Sequence, residues 1–114
     1  MIERAWQPDA GDLIWTDFNA GQGEQGGRRP ALVVSARVFT VNTGLAVVCP
    51  ITSRVRRLPT SVVLPPGLPV SGEILVTHVR SIDTLARPVA YAGASIGTRT
   101  ADEVRAKLAA LITI

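Results

Sequence analysis

The chain has 114 residues, 46% of them hydrophobic, with a formal net charge of +3 and one cysteine. That length sets the expectation of one domain over residues 1–114, and the composition excludes a disordered chain. A lone cysteine excludes a disulfide framework within the chain, and the mild positive charge permits a polyanionic partner without requiring one.

Aromatic residues are sparse, so the core must be built from Val, Leu, Ile and Ala. Eleven of the twelve basic residues are Arg. Arg28 and Arg29 fall in one loop-like stretch, and Arg54, Arg56 and Arg57 in another. Cys49 lies inside an apolar run without the company a zinc site needs and reads as a small buried hydrophobe. The N-terminus has no apolar signal-like segment, and no apolar run reaches membrane-spanning length. The expectation is a soluble cytoplasmic protein with no membrane partner.

In chain order, Pro8-Asp9-Ala10-Gly11 reads as a turn. Asp12–Phe18 is β-prone and reads as a first strand. Between it and the next strand runs Gly21-Gln22-Gly23-Glu24-Gln25-Gly26-Gly27-Arg28-Arg29-Pro30, glycine-rich and without an apolar side chain. Such a loop cannot be core, and it lets a backbone approach a ligand closely. Its two arginines supply forked donors that suit a phosphate. Ala31–Ser35 is a short β-branched run, read as a buried strand. Residues 37–44 read as a connection ending in an Asn42-Thr43-Gly44 turn.

Leu45–Thr52 reads as a third strand, with Pro50 marking a bulge or an edge. Val55–Pro59 is a basic loop, Ser61–Leu64 a short strand, and Pro65–Pro69 a loop that cannot be helical. Gly72–Val79 alternates and reads as one strand. Ser81–Arg87 reads as a helical turn stopped by Pro88, and Val89–Ala94 as a last strand. Thr100–Ile112 carries the strongest helical pattern. Thr100 and Glu103 form a capping box, and Val104, Leu108, Leu111 and Ile112 share one face. Many short strands followed by one helix give a mainly β fold: a small antiparallel barrel or sandwich with a helix packed on it.

No metal or cofactor is expected. One His and one Cys cannot form a zinc site, and no acid cluster suggests magnesium. The glycine loop lacks a Gly-Lys-Ser/Thr ending and a following helix, so it is not a nucleotide P-loop. His78, Ser81 and Asp83 lie too close in sequence to form a hydrolase triad. What remains is chemistry that needs no cofactor. RNA suits it, because its own 2′-hydroxyl can attack the neighbouring phosphate. The protein then supplies a proton acceptor, a proton donor and donors for the charged transition state. Glu24, Arg29, Thr52 and His78 are the candidates if the fold gathers them.

The glycine–arginine stretch 21–30, followed by Ala31-Leu32-Val33-Val34-Ser35, Cys49-Pro50-Ile51-Thr52-Ser53 and Val79-Arg80-Ser81-Ile82-Asp83, resembles the MazF/PemK family of toxin endoribonucleases. The opening Asp9–Trp15 is similar as well, so the resemblance spans nearly the whole chain. It implies an SH3-like (CcdB/PemK-like) barrel, a homodimer and metal-independent, ribosome-independent cleavage of single-stranded RNA at a short sequence. Products would carry 2′,3′-cyclic phosphate and 5′-hydroxyl ends. It also implies a MazE-like antitoxin whose acidic tail covers the RNA groove. By motif position it marks Glu24, Arg29 and Thr52 as catalytic. The residues expected to contact such an RNA are Gln25, Arg28, Ser53, Arg54, Arg56, Arg57, His78, Arg80 and Ser81. The chain departs from the family at Gly23, where many relatives have Ser, and at His78, where they often have Gln.

Each residue also has a plainer reading. Glu24 is either a proton acceptor, an orienter of Arg29, or solvated surface. Arg29 is either an ordinary loop cation or, being almost always protonated, a transition-state stabiliser before a general base. Thr52 is either a hydroxyl donor or a strand end. His78 is either a half-buried structural residue or an RNA contact. Arg54, Arg56 and Arg57 form a solvated loop or bind phosphates. Trp15 is core, or a ring on which a base stacks. The rival function is a CcdB-like toxin that binds gyrase without cutting RNA, because the barrel architecture alone does not choose between them.

Overall fold

The computed structural model describes residues 6–18 and 27–114. The loop candidates Gly23, Glu24 and Gln25 lie outside the described residues. The β-branched and apolar runs become strands: β1 (Asp12–Thr16), β2 (Arg29–Val33), β3 (Leu45–Thr52), β4 (Val62–Val63), β5 (Glu73–Ile74), β6 (Arg80–Asp83) and β7 (Val89–Ser95). All pairings are antiparallel. The strand order is β4-β5-β3-β2-β1-β7, with β6 on β3 beside β5. Helix α2 (Thr98–Leu111) follows the last strand and packs on β4 and on a 3-10 turn at Val76–His78.

Both faces of the central strands are buried. Leu13, Leu32, Cys49, Ile51, Ile74, Val76 and Val104 of α2 form one cluster. Ile14, Ala31, Val33, Ala46, Val48 and Ile82 form the other, closed by Phe18 and Val89. Burying one such aliphatic side chain contributes about 1.5–3 kcal/mol. The ion pairs Arg37–Asp9 and Arg105–Asp102 join partly exposed groups, and such pairs contribute about 0–1 kcal/mol each. The aliphatic clusters therefore set stability.

Four elements differ from the sequence expectation. The connection at 37–44 is a helix, α1 (Arg37–Thr43). Its β-branched residues Val38, Thr40, Val41 and Thr43 form helices weakly. An acid distant in sequence supplies what they lack: Asp9 Oδ1 accepts the Arg37 backbone N–H at 2.8 Å. The expected turn at Gly44 is present as the helix stop, with φ of 77°. The single strand at 72–79 is instead β5 and the 3-10 turn, with Val79 leading into β6. The helical turn at 81–87 is the rest of β6 followed by a turn. The Thr100 capping box is absent, because α2 begins two residues earlier after Gly97 and has no side-chain cap. Thr100 is buried, and of the expected apolar face Leu111 and Ile112 are exposed.

Pro50 explains the split of 72–79. Along β3, Leu45–Val48 pair with β6, whereas Ile51 and Thr52 pair with β5. Pro50 falls between, has no N–H to donate, and gives only its carbonyl, to Leu75 N at 2.9 Å. The chain between β5 and β6 is free of a ladder there and turns out as Val76–His78.

Gly72 is the tightest backbone approach to the end of β3. Its φ is 134°, and a Cβ would collide with the Thr52 carbonyl oxygen. Gly72→Ala is predicted to destabilise the protein by about 3 kcal/mol, read as a lowered urea midpoint at unchanged slope. A midpoint within error of the parent would show that the β3–β5 contact is loose.

Candidate active site

One end of β2, the end of β3, the 3-10 turn and the start of β6 border a groove of about 760 Å³. Arg28 and Arg29 come from the entry to β2, Thr52 and Ser53 from the end of β3, His78 from the turn and Arg80 from β6. These are six of the residues marked in the sequence, gathered from four separate segments. Among the described residues no Asp or Glu lines this groove, so its potential is positive and suits an anion. Trp15 and Phe18 add apolar wall. Trp15 is only partly buried, packed against the cluster that holds Leu13. The Arg80 guanidinium lies 5.2 Å from the centre of the Phe18 ring, a cation–π contact that fixes its direction without neutralising it.

Thr52 Oγ1 accepts the Arg54 backbone N–H at 3.1 Å. That bond uses an oxygen lone pair and leaves the hydroxyl proton free to donate. His78 is exposed, with Nδ1 3.3 Å from Thr77 Oγ1. A second groove of about 260 Å³ meets the first at Thr52, Leu75 and His78 and is walled by Arg54, Arg56, Leu58 and Glu73. Arg57 and Ser81 line neither groove. Arg57 is exposed on the basic loop, and Ser81 pairs with Val47 in the sheet. The structure thus brings Arg28, Arg29, Thr52, Ser53, His78 and Arg80 together, sets Arg54 and Arg56 beside them, and leaves Arg57 and Ser81 apart.

Among the described residues no three His, Cys, Asp or Glu side chains gather into a set that would hold a metal ion. No helix among them is long and apolar enough to cross a membrane. Cys49 is fully buried, and burial pushes its thiol up to about 11. It is a protonated core residue and not a nucleophile.

The family profile described as the PemK-like, MazF-like toxin of type II toxin-antitoxin systems matches residues 9–112. This chain belongs to that family. The chain is 36% identical over 113 residues to the endoribonuclease toxin MazF of Escherichia coli K12, covering 98% of this chain and 99% of that one. It superposes on crystalline MazF of Deinococcus radiodurans with a TM-score of 0.86 at 43% identity, covering 96% of this chain and 100% of the other. A MazE–MazF complex from the same organism matches with a TM-score of 0.85 at 40% identity, covering 96% and 99%. The mainly β architecture with a C-terminal helix is that of the MazF structures.

Beside these grooves the sequence reading missed one charged residue, Glu73. It is 1% exposed. Its Oε1 accepts the N–H groups of Arg56 at 2.6 Å and Arg57 at 3.1 Å, and its Oε2 that of Leu58 at 2.8 Å. The only available signal was an acid inside an apolar alternation, and its partners lie 15 to 17 residues away.

The Arg56 N–H bond, followed by those from Leu58 and Arg57 and by the Ser61 hydroxyl, holds the Glu73 carboxyl below the ordinary glutamate value of 4.5 against the opposing effect of burial. A lowered folded-state pKa means that Glu73 contributes stability fully above 4.5 and loses it as pH falls through the lower folded value. Amide exchange at Arg56, Arg57 and Leu58, corrected for intrinsic pH effects, is therefore predicted to lose protection below pH 4.5. Protection unchanged down to pH 2 would contradict the assignment.

Proposed function

We propose that this protein is the toxin of a type II toxin–antitoxin system and an endoribonuclease that cuts single-stranded RNA, messenger RNA included, at a short sequence. The observation that carries the reading is the groove holding Arg28, Arg29, Thr52, Ser53, His78 and Arg80, with no acid among its described lining residues, in a chain whose relative from E. coli is named an endoribonuclease toxin. The cut uses the RNA's own nucleophile. The 2′-oxygen attacks the adjacent phosphorus, the bond to the 5′-oxygen breaks, and the products carry a 2′,3′-cyclic phosphate and a 5′-hydroxyl. Arg29 stabilises the charge that develops on the phosphoryl oxygens, where a fixed cation acts with little reorganisation. The Thr52 hydroxyl donates to the same group. Glu24 accepts the 2′-hydroxyl proton, and the departing 5′-oxygen takes a proton from solvent in the open groove. Gln25, Arg28, Ser53, Arg54, Arg56, His78 and Arg80 grip the flanking nucleotides. Metal and cofactor have no role in this scheme.

The partner of the resting state is an acidic, MazE-like antitoxin segment laid along the groove, and the working form is a cytoplasmic homodimer. Growth inhibition follows from loss of translatable RNA. The gyrase-binding alternative has no specific observation in its favour.

Long unstructured RNA incubated with the protein in EDTA is predicted to be cut at discrete sites with cyclic-phosphate ends. Arg29→Ala should lower the rate at least about 100-fold while keeping the parent melting temperature. Intact RNA with the parent protein would overturn the nuclease reading and make trapped gyrase–DNA breaks the next assay. Affinity for an acidic antitoxin peptide is predicted to fall steadily as salt rises from 50 to 500 mM. Salt-independent binding by calorimetry would place that segment off the groove.

A further inference from the structure

The loop at 54–58 joins three arginines within four positions, and all three are exposed. Among the described residues none of the three guanidinium groups forms an ion pair. Like charges so close repel and favour a spread, mobile loop. Arg57 is also the one non-glycine among the described residues with positive φ, at 56°. Successive N–H groups around such a residue make a concave, anion-binding backbone nest. Here the anion is internal. The buried Glu73 carboxylate fills the nest formed by residues 56–58. It touches the arginines through their backbones, so their guanidinium groups are left unneutralised. Gly72, pressed on the Thr52 carbonyl, sets the entry to β5 that places Glu73. Ser61 ties the same loop to α2, its carbonyl accepting Lys107 Nζ at 2.7 Å.

We propose that Glu73 is a positioning residue for RNA: its carboxylate latches the basic loop so that Arg54 and Arg56 wall the second groove and meet the strand leaving the Thr52–His78 junction. This rests on the nuclease reading for the identity of the polyanion. The latch lowers the cost of ordering three flexible arginines when RNA binds. It also spends the only described negative charge near the loop on backbone donors and not on the arginines themselves. Arg54 and Arg56 belong to the strand-binding surface, while Glu73, at the floor of the second groove and 1% exposed, acts through the loop backbone.

The test uses Glu73→Gln, which keeps size but replaces one acceptor by a donor, and Glu73→Asp, which keeps charge on a shorter arm. The ligand is a single-stranded RNA with a 2′-deoxy residue at each cut site, so binding is read without cleavage. Glu73→Gln is expected to weaken binding about 10-fold, to make the salt dependence shallower by about one phosphate contact, and to speed amide exchange at residues 56–58. Glu73→Asp should fall between parent and Gln. On cleavable RNA, Glu73→Gln should raise KM and leave kcat within about twofold. In an Arg54→Ala, Arg56→Ala, Arg57→Ala background, Glu73→Gln should change affinity less than twofold, because its path to RNA is gone. An equal loss in both backgrounds, or parent affinity in Glu73→Gln, would overturn the latch. Failure of the parent protein to cut RNA would instead overturn the nuclease reading, and the exchange data would still decide on the loop.

Discussion

Strand β3 is paired on both edges along nearly its whole length, and one proline interrupts the ladder. β2 holds one edge through Ala31, Leu32 and Val33. On the other edge β6 holds Leu45–Val48 and β5 holds Ile51 and Thr52. A strand residue turns its N–H and C=O toward the same neighbour, so the donor missing from Pro50 faces the junction of β6 and β5. Leu75 takes the carbonyl that remains, and the chain then winds through Val76–His78. Val76 points into the core and His78 stays exposed. One backbone constraint thus produces the split sheet edge and puts His78 opposite Thr52.

The same strand links stability to the site. Its interior residues, Ala46, Val48, Cys49 and Ile51, are buried in both clusters, and its last residue is Thr52. The groove stands on a rigid aliphatic base, while its own charged residues are exposed and largely unpaired. Unpaired arginines do little for the free protein. They make sense beside a polyanion that supplies the missing charge. Glu73 follows the same division of labour, because its charge is used to shape backbone and leaves the cations free.

The sequence made the strands legible wherever apolar runs were continuous. β3 was read to the residue, and β1, β2 and β7 to within one or two residues at most of their ends. Short-range patterns failed where a distant residue decided the outcome. α1 depends on Asp9, 28 residues upstream, and β5 and β6 are separated by Pro50 on another strand. The Thr100–Glu103 pair matched a capping pattern, yet Thr100 is buried inside a helix that starts at Thr98. The groove residues were readable only as ordered motifs. Nothing in the spacing of Arg29, Thr52, His78 and Arg80 states that they meet, since their meeting is a property of the antiparallel order. Glu73 was illegible because its chemistry lies in backbone groups of a loop read as merely basic.

The central claim is that the RNA's own 2′-hydroxyl attacks while it lies in the basic groove. The most direct measurement replaces the single ribose at a mapped cut site by 2′-deoxyribose and follows both cleavage and backbone amide shifts on binding. The account predicts that this RNA stays intact at that site, binds like the parent RNA, and shifts amides at Arg28, Arg29, Thr52, Ser53, His78 and Arg80. Cleavage at the deoxy position, or shifts centred away from those residues, would contradict it.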